Sequence, residues 1–142
     1  MKRGKIALVF LAMSLLSSGT WVSGVWAQSK NTRIYELRTY TALPGRLPAL
    51  NKRFSEYTIK IFARHGIKSE MYWTPTSEAL KDSTLIYLIS HDNQESVDKN
   101  WKEFQSDPEW IKVRDASEAD GKILAKTPER VFMTLNSWSP GQ

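Results

Sequence analysis

The stretch that decides the fold is RIYELRTYTALPGRLPALNKRFSEYTIKIFARHG, residues 33–66. It divides into a strand, a tight turn and an amphipathic helix closed by glycine. Ile34 to Thr41 is rich in aromatic and β-branched side chains, which alternate between two faces. Tyr35, Leu37 and Thr39 share one face; Ile34, Glu36, Arg38 and Tyr40 share the other. Pro44-Gly45 turns the chain. Pro48 suits the first turn of a helix, where a missing N–H costs nothing. Leu47, Leu50, Phe54, Tyr57 and Ile61 recur at spacings of three and four, and with Phe62 they predict one buried stripe. Lys52, Arg53, Glu56, Lys60 and Arg64 fall off that stripe, which predicts that they are solvated. Gly66 is the expected left-handed stop, with His65 in the last turn near the negative end of the helix dipole.

Toward the C-terminus a second strand is expected from about Ile67 to Thr76. Met71 and Trp73 point one way in it, Tyr72 and Thr74 the other, and Pro75 ends it. The third strand, Thr84 to His91, is apolar on both faces: Leu85, Tyr87 and Ile89 against Ile86 and Leu88. Such a strand is covered on both sides. Asp92 and Glu95 resemble a capping box for a second helix with Val97, Trp101 and Phe104 inward. Asp107-Pro108 restarts the helix, and Trp110 and Val113 continue its buried side to about Ser117. After a turn at Asp120-Gly121, a last strand from about Arg130 to Trp138 sets Val131, Met133 and Leu135 against Phe132, Thr134 and Asn136. The order predicts an α+β fold, a ferredoxin-like β-α-β-β-α-β sandwich with an antiparallel sheet and helices on one face. Helices on one face leave the other apolar face wet. A second copy packed sheet to sheet would cover it, so a homodimer is expected. If the face of Glu36 and Arg38 lies in that dimer interface, the two charges need each other or a partner across it.

The other direction from the opening stretch leads to a leader. Lys2, Arg3 and Lys5 precede the apolar run Ile6 to Leu16, and Val25-Trp26-Ala27 fits a cleavage site. Residues 1–27 are therefore read as a signal peptide, 28–32 as a flexible leader, 33–138 as the domain and 139–142 as a tail. The expectation is export, to the periplasm or the medium, with membrane attachment only if the segment stays uncleaved, since Ile6 to Ala27 are 22 residues without a charge. Without Lys2, Arg3 and Lys5 there remain 17 basic side chains against 15 acids, a net charge of +2. The remaining charges are interleaved, with no basic stripe to neutralise phosphates, so nucleic acid is not an expected partner. There is no cysteine, which excludes disulfides, thiol catalysis and a lipid-anchored N-terminus.

Taken together, Tyr35-Glu36-Leu37-Arg38, Pro44-Gly45, His65-Gly66, Tyr72-Trp73-Thr74-Pro75, Tyr87-Leu88, the run Trp101…Phe104…Asp107-Pro108-Glu109-Trp110 and Trp138-Ser139-Pro140 resemble the NIPSNAP family. The resemblance covers nearly all of the chain after the leader. It implies the dimeric α/β-barrel superfamily, in which two ferredoxin-like protomers close a shared barrel. An export signal departs from the best-known relatives, which are mitochondrial or intracellular, so roles in organelle turnover do not carry over.

Chemical motifs are sparse. There is no glycine-rich phosphate loop, no His-Glu-x-x-His pair and no nucleophile elbow. Nothing in the spacing of His65 and His91 calls for a metal, and no cofactor is implied. The candidate ligand-binding residues are Arg38, Glu36, Tyr35, His65, Tyr72, Trp73 and Tyr87, a charged pair surrounded by aromatic rings of the kind that line small-molecule pockets. Arg38 would hold an anionic or polar group. The reading favours a small-molecule-binding or interaction module for an apolar or aromatic ligand over an enzyme. The alternative is a cofactor-free monooxygenase acting on an aromatic or quinol substrate, by analogy with relatives in the wider superfamily.

Overall fold

The computed structural model describes residues 32–140. The expected signal peptide, most of the leader, and Gly141-Gln142 lie outside the described residues. The elements are β1 (Ile34–Thr41), α1 (Leu47–Arg53), a π-helical turn (Phe54–Thr58), α2 (Ile59–Arg64), β2 (Lys68–Trp73), β3 (Thr84–His91), α3 (Gln94–Ser106), α4 (Pro108–Ser117) and β4 (Glu129–Thr134). The sheet is antiparallel in the order β2-β3-β1-β4, which is the ferredoxin-like arrangement. β1 and β3, the strands with apolar residues on both faces, take the two central places.

Register fixes the two faces, because residues directly opposite one another share a face. Glu36 faces Ile89 and Phe132, and Arg38 faces Tyr87 and Arg130. These belong to the helix-covered side. Leu37 faces Leu88 and Val131, and Met71 and Trp73 join them on the open side. The core lies between sheet and helices, with Leu50, Ile61, Phe62, Ile67, Tyr87, Ile89 and Ile123 fully buried. Ile123 has no place in any predicted element; it sits in the connection to β4, where Leu124 bridges Ala42 and closes the sheet end.

The first helix departs from its predicted stripe. Tyr57 is exposed and Thr58 is buried. The cause is the π turn, in which the Ile59 N–H reaches back five residues to the Phe54 carbonyl. At about 3.6 residues per turn, position 57 would lie about 60° from position 54. The wider turn brings Thr58 beneath Phe54 and rolls Tyr57 out. Arg53, expected in solvent, is 4% exposed. The cap of α3 is also one residue later than predicted. The side chain of Asn93, not Asp92, accepts the Ser96 N–H at 2.9 Å, and the Ser96 hydroxyl accepts the Asn93 N–H at 3.2 Å. Asp107 caps α4 as expected, accepting the Glu109 and Trp110 N–H groups. No residue of α4 is fully buried; Trp110 and Val113 are half-buried. β4 ends at Thr134, so Leu135 and Asn136 lie outside the ladder.

Candidate functional site

Period-two alternation in β1 sends Glu36 and Arg38 to the side covered by α3, inside one protomer. They do not lie on the open sheet face, where a barrel between two copies would form. Glu36 is wholly buried and takes three donors. Arg38 Nη1 donates to its Oε1 at 2.6 Å, the Trp101 indole N–H to its Oε2 at 2.8 Å, and His91 Nε2 lies 3.3 Å from the same oxygen. Behind His91, Asn100 Nδ2 lies 3.2 Å from Nδ1 and also donates to the Gly66 carbonyl at 3.0 Å. The helical spacing of Asn100 and Trp101 on α3 thus closes a buried polar chain from β1 to the end of α2. Burial by itself pushes the Glu36 carboxyl up; hydrogen bonds from His91 and Trp101 and the charge of Arg38 outweigh it, and its pKa is lowered.

Arg38 is held flat. Its guanidinium lies 4.4 Å from the Trp101 ring centroid and 5.5 Å from that of Tyr40. Burial alone disfavours its charge, but the Tyr40 and Tyr87 hydroxyls and Glu36 raise its pKa, so it remains a cation. Its Nη1 donates to Glu36 and its Nη2 to the Tyr40 hydroxyl at 3.4 Å, while its buried Nε makes no hydrogen bond. Arg38 also forms the floor of an open groove of about 660 Å³ between α3 and the β4 edge, with Trp101, Lys102, Pro128 and Arg130 in its wall. Among the described residues neither Lys102 nor Arg130 forms an ion pair. Asp98 is the one acid in the groove wall.

The other predicted site residues separate. Tyr87 is fully buried and stacks on Tyr72, with ring centroids 5.4 Å apart and planes at 15°. Burial pushes the pKa of both phenols up, in Tyr87 well above its ordinary value. The Tyr87 hydroxyl makes no hydrogen bond within 3.5 Å, although Tyr40 is near enough to add to that rise. Phe54 packs edge-on or tilted against Tyr40, Phe62, Tyr72 and Tyr87 at 5.0–6.2 Å, so rings fill the space between the first helix and the sheet. Tyr35 and Trp73 lie on the open sheet face. His65 is apart from all of these, paired with Asp107 at 2.7 Å. The two histidines therefore serve separate networks. Sequence reasoning missed Lys102, Arg130, His91 and Asn100 as parts of the site. The only signal for Arg130 is its position across the ladder from Arg38, which requires knowing that β4 pairs with β1.

The elements define a ferredoxin-like α+β domain with a buried Arg–Glu pair beside an open, cationic groove. The NIPSNAP family profile matches residues 35–140, and the chain belongs to the NIPSNAP family. Solved structures agree. A NIPSNAP domain protein from Burkholderia xenovorans is similar with a TM-score of 0.62 at 20% identity, over 75% of this chain and 98% of that one. A NIPSNAP family protein of unknown function from Agrobacterium tumefaciens gives 0.63 at 21% identity, over 78% and 95%. A cofactor-independent oxygenase from Streptomyces nogalater shares the fold more distantly, with 0.51 at 14% identity over 77% and 98%. No curated protein matches the chain by sequence.

Proposed function

We propose that this NIPSNAP-family protein is an exported, homodimeric binding module whose ligand is a small anion seated over Arg38. One observation carries the reading: a buried guanidinium with an unpartnered Nε forms the floor of a groove with two further cations and a single acid in its wall. Planar guanidinium donors suit a carboxylate or phosphate oxygen. Any apolar or aromatic body of the ligand would lie against Trp101 and Pro128. Export rests on the signal-like segment of residues 1–27, and N-terminal sequencing of the cellular protein tests it. The second copy rests on the apolar open face of the sheet.

Inorganic phosphate is the probe for the groove. It is expected to shift the Arg38 Nε–H and Trp101 Nε1–H NMR signals saturably, with a Kd of about 1 mM. Charge reversal by Lys102→Glu with Arg130→Glu, both outside the core, should weaken this by about tenfold or more. Arg38 itself is a poor target, because its removal orphans buried Glu36 at a cost of about 3–5 kcal/mol. Shifts that never saturate, or that survive the charge reversal, overturn the reading.

A cofactor-free oxygenase is the second reading, favoured by the fold shared with the Streptomyces protein. It stands second because aromatic side chains fill the space between the first helix and the sheet. Oxygen uptake with phenols and quinols separates the two.

A further inference from the structure

A second concavity, of about 480 Å³, lies between α1 with its π turn and α4, away from the Arg38 groove. Pockets for small molecules commonly span about 300–1,000 Å³. Ala49, Tyr57, Val113 and Ala116 give it an apolar wall, and Arg53 forms part of its lining. Two features mark it as a built site. The first is the π turn. Leu50, Phe54, Tyr57 and Ile61 fit a regular helical stripe equally well, yet the helix carries an insertion. The insertion puts a threonine into the core and places Tyr57 in the groove wall instead. The Thr58 hydroxyl donates to the Arg53 carbonyl five residues back, at 3.1 Å, which steadies the widened turn. Single π turns within α-helices are frequent at functional sites.

The second feature is Arg53. It is 4% exposed, its guanidinium lies 5.3 Å from the Trp110 ring centroid, and Nη1 donates to Ser117 Oγ at 3.1 Å and Glu118 at 3.3 Å. Its buried Nε has no partner. Ser117 and Glu118 both take their bonds from Nη1, which fixes the guanidinium at the groove lining. Glu118 pairs with Arg53 and Arg64 with Glu109, so Lys52 and Lys112 against Glu56 leave the wall one positive charge in excess.

We propose that this groove binds a small amphipathic carboxylate, with its apolar body against Tyr57, Val113 and Ala116 and its carboxylate on Arg53. The test uses cinnamate, with its neutral amide as control, followed by NMR on the full protein. Cinnamate is expected to bind saturably, one per protomer, and to shift signals of α1, the π turn and α4. Cinnamamide should bind about tenfold more weakly, since it lacks the charge that Arg53 recognises. Ala116→Trp fills the groove from an exposed helix position and should weaken cinnamate about tenfold or more. No saturation by about 10 mM overturns the proposal. Equal affinity for the amide, unchanged binding in the tryptophan variant, or shifts at Arg38 and Trp101 instead do so too. Signals of Arg38 and Trp101 report on the first groove and those of the π turn and α4 on this one, so either site can fail without the other.

Discussion

Asp107 joins three elements with one side chain. Its Oδ1 accepts the Glu109 and Trp110 N–H groups at 2.8 and 3.2 Å, capping α4. Its Oδ2 meets His65 Nε2 at 2.7 Å and Arg64 at 3.0 Å, tying the end of α2 to the start of α4. The bond to His65, helped by the cap bonds and Arg64 against some burial, lowers its pKa to about 2. The folded pKa lies below the unfolded one, so this contribution is fully present above about pH 4 and is lost as pH falls toward 2. Asp107→Asn keeps a good cap residue and removes the charge. Urea unfolding between pH 6 and pH 2 should therefore give a flatter stability profile for the variant below about pH 4. Glu36, Glu70 and Asp120 are lowered as well, so some slope remains. Parallel profiles would remove the His65–Asp107 contact from the account. At this scale the sequence was legible where chemistry is local. Asp-Pro announced the cap, and two-residue spacing put Glu36 and Arg38 side by side. Arg53 and His91 were not legible, because their partners lie 65 and 55 residues away in the chain.

Two glycines separate backbone strain from contact at the level of elements. Gly45 in the first turn and Gly66 after α2 both sit in the left-handed region, at φ 73 and φ 70. A Cβ on Gly45 would meet nothing within 4 Å, whereas one on Gly66 would come within 3.1 Å of Asn100 Nδ2. That nitrogen bonds the Gly66 carbonyl and faces His91. Gly45→Ala should cost about 1 kcal/mol, the backbone penalty alone. Gly66→Ala adds displacement of Asn100 and should cost at least about 1 kcal/mol more by denaturant unfolding. Equal costs would mean that Asn100 moves freely and the buried chain behind Glu36 is loose. The helix stop at Gly66 and the turn at Pro44-Gly45 were readable, since both reflect φ preferences of single residues. The π turn was not. Its heptad-like sequence fits an α-helix equally well, and the choice rests on what α4 and the sheet place around it.

The whole molecule presents a sheet with one wet apolar face. Met71, Trp73, Val131 and Met133 are 57, 43, 55 and 36% exposed there, around half-buried Leu37 and Leu88. A patch of this kind marks an interaction surface. Two copies joined by a twofold axis would bury it on both. Sedimentation at micromolar concentration should give a dimer, and Leu88→Arg, at the centre of the face, a monomer with unchanged circular dichroism. A wild-type monomer under those conditions would sink the assembly.

The order of elements, the two apolar faces of the central strands, and the family are properties of the sequence, because they follow from periodicity and from short motifs. Only the folded chain decides which strand face the helices cover. Alternation groups residues by face but carries no label for inside. That choice puts Glu36 and Arg38 under α3 instead of at the open sheet face. It also gathers Lys102 and Arg130 beside Arg38, through contacts between segments that no local pattern connects.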